Sequence, residues 1–141
     1  MTVNEQAIQY LKSHHVMTLA TVDPKGVWAA ALFYASQEFD LIFLSAEHTR
    51  HAQNVSVSPK VSATIQENYW GWSQIKGIQL EGIVYKLLDE QRQEAIDVYL
   101  ARFPFIQTSG SKIQKAFDQV SWYRLTPEKL YFIDNSKGLG H

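Results

Sequence analysis

Between positions 75 and 88 apolar and polar side chains largely alternate, the two-residue period of a β-strand with one buried face. A strand of that length needs a sheet to pair with, because lone strands and hairpins are marginal in water. Gly77 and Gly82 fall inside it and mark bulge or bend positions.

Partner strands are present on both sides of it. Residues 16–22 are rich in β-branched side chains, and Asp23-Pro24-Lys25-Gly26 has the composition of a tight turn. A second strand is predicted over 27–35, forming a hairpin with the first. After a polar turn at 36–40, Leu41-Ile42-Phe43-Leu44 is apolar throughout, which predicts a strand covered on both faces. A fourth strand is predicted over 61–66, after Pro59, and an aromatic loop over 68–73. A terminal hairpin is predicted over 120–133, turning at Thr126-Pro127-Glu128-Lys129.

Helices punctuate this order. Thr2 and Glu5 have capping-box spacing ahead of a helix over 4–14. A short helix is predicted over 47–56, where Ala52 and Val55 share a face, and a longer one over 89–103, ended by Pro104. A weaker helix follows Ser109-Gly110-Ser111 and runs to Phe117. Many antiparallel strands with few helices predict a mainly β (α+β) fold, an antiparallel barrel with peripheral helices, in one domain spanning 1–141.

The formal net charge of -1 argues against a nucleic-acid binder, which would carry a basic stripe. With no cysteine, thiol chemistry, disulfides and cysteine-ligated metals are excluded. The same absence fits a reducing compartment. Met1 leads into a polar, helix-like segment, so no signal peptide is expected. No apolar run approaches the ~20 residues of a membrane span. The expected location is the cytoplasm.

The chemistry-bearing stretch is Ser45-Ala46-Glu47-His48-Thr49-Arg50-His51-Ala52-Gln53-Asn54, where an apolar strand gives way to a helix. A helix start offers free backbone N–H groups and a partial positive charge. Arg50 adds a planar fork of donors suited to phosphate oxygens, and Ser45, Thr49 and His51 add further donors. Together they make an anion site, although the same run also serves as a cap with solvated charges. His14-His15 and His48 with His51 lack a convincing set of further ligands, so no metal is expected. The Tyr69-Trp70-Gly71-Trp72 loop suits either a planar ligand or an interface.

In this setting the chain resembles the pyridoxamine 5'-phosphate oxidase-like superfamily of FMN-binding split barrels. The resemblance is carried by the ordered run Thr49-Arg50-His51, Pro59-Lys60-Val61, Trp72, Leu80-Glu81-Gly82, Tyr99-Leu100-Ala101-Arg102-Phe103-Pro104 and the stretch from Trp122 to Phe132. The tail from Ile133 to Gly140 is similar to that of a small bacterial subfamily with no assigned substrate. The resemblance implies a homodimer with FMN at the shared interface and its phosphate on Thr49, Arg50 and His51. The isoalloxazine would lie along Leu32, Phe33 and Tyr34, with Leu44, Ser45, Lys76 and Gly77 as further contacts.

The sequence departs from the oxidase at informative places. Ala29 and Tyr34 stand where the oxidase has Arg and Lys, Gly77 stands for a Gln, and Ile133 for a Trp. The oxidase's C-terminal Arg-and-His substrate segment has no counterpart. These departures argue against the oxidase's own reaction. Two readings remain. One is an FMN-dependent oxidoreductase acting on an unidentified small molecule, with no catalytic residue assigned and Tyr34 and His141 as the only candidates for an acid or base. The other is a non-catalytic binding module, as a flavin carrier or a haem or deazaflavin binder.

Overall fold

The computed structural model describes residues 1–108 and 110–139, without the side chains of Ile113 and Gln114. Its chain order is α1 (Val3–Ser13), β1 (Val16–Asp23), β2 (Gly26–Phe33), β3 (Ala35–Gln37), β4 (Asp40–Ser45), α2 (Arg50–Val57), β5 (Lys60–Gln66), β6 (Lys76–Leu87), α3 (Asp89–Arg102), α4 (Ser111–Asp118) and β7 (Ser121–Asp134). Short 3-10 turns at Trp72–Gln74, Pro104–Ile106 and Asn135–Lys137 fill the connections. Among the described residues no helix is long and apolar enough to cross a membrane.

The seven strands form one antiparallel sheet in the order β2-β1-β5-β6-β7-β4-β3. β2 and β3 therefore lie at opposite edges, yet only Tyr34 separates them in the chain. The sheet must curl until its two edges meet, which makes a split barrel. Tyr34 is the corner. Its N–H donates to the His15 carbonyl at 2.9 Å, and its buried hydroxyl donates to the Leu11 carbonyl at 2.8 Å. The strand predicted over 27–35 is thus two strands, because the chain changes edges where the Tyr34 ring turns inward.

The terminal hairpin is corrected more fully. β7 runs unbroken through Thr126-Pro127-Glu128-Lys129, paired with β6 from Trp122 to Asp134 on both sides of that segment. Glu81 faces Lys129 and Gly82 faces Pro127, so Glu128 is an extra residue in a bulge. Pro127 is tolerated there because a bulge leaves a ladder donor unneeded. Gly82 is required opposite it, since a Cβ would lie 2.3 Å from the Thr126 carbonyl oxygen. The turn-forming residues are absorbed as a bend because a continuous partner strand satisfies more backbone groups than a local turn. Gly77 shows no register shift but has a similar steric reason: a Cβ would lie 2.6 Å from the Ile65 carbonyl oxygen.

Two cores result. The barrel interior is filled by Met17, Leu19, Phe43, Ile65, Ile78 and Leu125, and plugged by Leu11 of α1 and Val55 of α2. The second core lies outside the barrel wall, where Ile42, Leu87 and Trp122 pack under Tyr99 and Phe103. This explains the wholly apolar run of β4: Leu41 and Phe43 face inward, while Ile42 and Leu44 face the α3 layer.

Candidate functional site

The helix predicted over 47–56 begins at Arg50, with Thr49 as its N-cap. The Thr49 hydroxyl accepts from Ala52 N–H at 3.3 Å and donates to the Ala46 carbonyl at 2.8 Å. Residues 46–49 therefore form a tight turn rather than a helical one. β4 delivers Ser45 to the same point, where its hydroxyl lies 3.1 Å from that of Thr49 and 2.5 Å from His51 Nε2. His51 is buried, and burial holds its imidazole below the ordinary histidine range.

Ser45, Thr49 and His51 thus meet as the sequence pattern implies, but they mostly engage one another. What remains directed outward is backbone and guanidinium. The first-turn N–H groups of Arg50 and His51 have no partner within the helix. Arg50 is exposed and lies over the Trp28 ring of β2, 4.7 Å from its centroid. Gly26, at the start of β2, leaves room beside it; a Cβ there would be 3.8 Å from Arg50 Nη2. Among the described residues no carboxylate pairs with Arg50. Trp28 was invisible as a site residue in the sequence, because only strand pairing carries it under α2.

The remaining candidates are distributed along β2 and β6. Phe33 points outward, 58% exposed, with its ring 5.9 Å from that of Phe103. Leu32 packs against the barrel core, and Leu44 packs in the α3 layer. The Tyr34 hydroxyl is committed to Leu11, and burial pushes it further from ionisation. His141 lies outside the described residues. Lys76 and Gly77 open β6 at the end of the barrel near α1, where the Lys76 carbonyl accepts from the Tyr10 hydroxyl at 3.1 Å. Lys86, at the other end of β6, ion-pairs with Glu47 of the turn ahead of Arg50. Ten residues of strand, on the order of 30 Å, thus separate Lys76 from the turn ahead of Arg50 within one chain.

Between these ends lies an uncovered sheet face. Ala29 and Ala31 of β2 pair with Ala20 and Thr18 of β1, which in turn pair with Ser62 and Thr64 of β5. The outward side chains are small. They are bounded by the Val16–Phe33 pair at one end and the Val22–Val27 pair at the other. They are exposed or half-buried, and Val27 is 78% exposed.

Residues 3–134 match the pyridoxamine 5'-phosphate oxidase family. A UPF0306 protein of Photorhabdus laumondii is 34% identical over 142 residues, covering 99% of this chain and 93% of its own length. Among solved structures, the haem storage protein HutZ of Vibrio cholerae aligns with a TM-score of 0.71 at 20% identity, over 93% of this chain and 94% of its own. An FAD-binding protein of Mesorhizobium loti aligns with a TM-score of 0.69 at 20% identity, over 91% of each chain. Fold, strand order and sequence agree, and the chain belongs to the pyridoxamine 5'-phosphate oxidase family of split barrels, alongside the UPF0306 proteins.

Proposed function

We propose that this protein binds FMN, with the phosphate on the Arg50 guanidinium and the first-turn N–H groups of Arg50 and His51. The observation that carries this reading is Arg50 itself. It is a cation without a carboxylate partner among the described residues, set at a helix N-terminus and lying over an aromatic ring beside a glycine. Ser45, Thr49 and His51 shape the turn that presents it. From Val27 to Phe33 the outward face of β2 spans ~20 Å, a track for the ribityl chain and ring. The uncovered face of β2, β1 and β5 is the surface on which two copies associate, since its small side chains, bordered by the exposed Val27 and Phe33, let a second sheet approach closely. In that homodimer the second copy brings Lys76 and Gly77 toward the ring.

Bound FMN would supply hydride or electron transfer, while the chain supplies binding and orientation. A non-catalytic reading has its own support. Val27, Ala29, Ala31 and Phe33 put no ionisable group on the outward edge of β2, and the Tyr34 hydroxyl is already committed. Anaerobic reduction of the bound flavin by nicotinamide donors separates an oxidoreductase from a carrier.

The test of binding is the absorption spectrum after incubation with FMN and desalting. Flavin bands are expected, and Arg50→Ala should weaken affinity about 10–100-fold, the worth of a charge-assisted hydrogen bond. Colourless protein, or a haem spectrum as purified, would overturn the flavin reading.

A further inference from the structure

A cleft of about 300 Å³, lined also by Gln53 and Ser56, opens between α2 and the strands β6 and β7. None of the residues assigned to FMN lines it. Its apolar walls are Ala52 and Val55 of α2, Val84 of β6 and Tyr123 of β7, whose ring stacks on Phe43. At its rim the Glu47 carboxylate accepts from the Ser121 hydroxyl at 2.7 Å and, on the same oxygen, from Lys86 Nζ. The Tyr123 phenol lies within the influence of both charges and next to Ser121.

The donors and the acceptor differ in kind. Lys86 and Ser121 project from paired strands of the sheet, whereas Glu47 belongs to the turn ahead of α2. The Glu47 side chain is 62% exposed, and an ion pair so placed is worth little in water. An incoming carboxylate could take over both donors and leave Glu47 to the solvent. An incoming amine would instead meet the like charge of the Lys86 ammonium already on the Glu47 carboxylate. The arrangement therefore selects anions. The cleft's apolar walls favour a hydrocarbon body behind the acid, and its volume sits at the small end of ligand pockets.

We propose that this cleft binds a small monocarboxylate with an apolar body, and that Glu47 is its built-in stand-in on Lys86 and Ser121. Glu47 then acts as a competitor tethered to the site, so removing it should strengthen binding.

The test is a titration of the full chain with hexanoate, without FMN, followed by NMR of the Val55 and Val84 methyl groups and the Tyr123 ring. A saturable shift at these positions is expected in the wild type. Glu47→Ala should tighten binding by up to about fivefold, the worth of an exposed ion pair. Lys86→Met should weaken it by up to about fivefold, while Lys86→Arg retains most of it. Hexanol, with the same body and no charge, should bind more weakly than hexanoate. The same spectra report whether each variant is folded. Absence of saturable shifts in both wild type and Glu47→Ala overturns the proposal. So does weaker binding in Glu47→Ala, or binding unmoved by Lys86→Met. These outcomes are independent of whether the protein takes up FMN.

Discussion

The outward faces of β4 with β7 and of β2 with β1 and β5 belong to one sheet, yet they are finished differently. On the first, Ile42, Leu44 and Trp122 are large and lie beneath α3, where Tyr99 and Phe103 close over them. On the second, Ala29, Ala31, Ala20, Thr18, Ser62 and Thr64 are small and lie open. Side-chain size separates the two fates. Burying the large residues of the first face beneath α3 removes much apolar area from water. Small ones leave a flat surface that another backbone or ring can approach closely, and it gains most when something from outside covers it.

Substitutions on each face break or sharpen this contrast. Trp122→Ala empties the middle of the covered face and should cost about 3–5 kcal/mol, read from urea unfolding. A loss below about 1 kcal/mol would mean that the α3 layer is an ornament on the barrel rather than a second core. Gly82→Ala drives a methyl into the Thr126 carbonyl at the bulge that lets β7 serve both faces. A destabilisation of about 1–3 kcal/mol is expected in the same assay.

Ala31→Asp tests the open face. Unfolding of the monomer should change by about 1 kcal/mol or less, while sedimentation shows the mass fall from dimer to monomer. A wild type that sediments only as monomer would remove the reason for that face to stay bare.

The smallest effect concerns the turn at its border. Burial lowers the His51 pKa in the folded chain, so below the unfolded value of ~6.5 the unfolded state binds more protons. Stability of the ligand-free protein should be level above that pH and fall as the pH drops through it toward the lower folded value. Thermal midpoints measured across that range should show the fall, and His51→Gln should flatten it. An unchanged slope in the variant would show that His51 is not the group responsible.

Much of this was readable in the chain. The Thr2–Glu5 capping box and the α3 face of Tyr99 and Phe103 lie within four residues of their partners, and local periodicity found them. The turn ahead of α2 was readable as a cap followed by Arg50, and Thr49 is that cap. Harder to see was how the turn distributes its groups. The position of Arg50 over Trp28 and the tie from Glu47 to Lys86 and Ser121 join residues that only tertiary packing brings together, and the Ser45–His51 contact depends on how the turn between them closes. Tyr34 illustrates the limit best. Its position in an apolar run suited a ligand-facing strand, but the closure of the barrel turned it inward.

By itself, then, the sequence determined the kinds of element, their caps and the two glycines at which β6 admits a neighbouring backbone. Those features depend on backbone preference and on side chains a few positions apart. Only the tertiary structure decided that Thr126-Pro127-Glu128-Lys129 is a bulge and not a turn, and which sheet face acquires a helix and which stays open. Those outcomes depend on cross-strand hydrogen bonds and burial between distant residues, which outweigh the local preference of a four-residue turn.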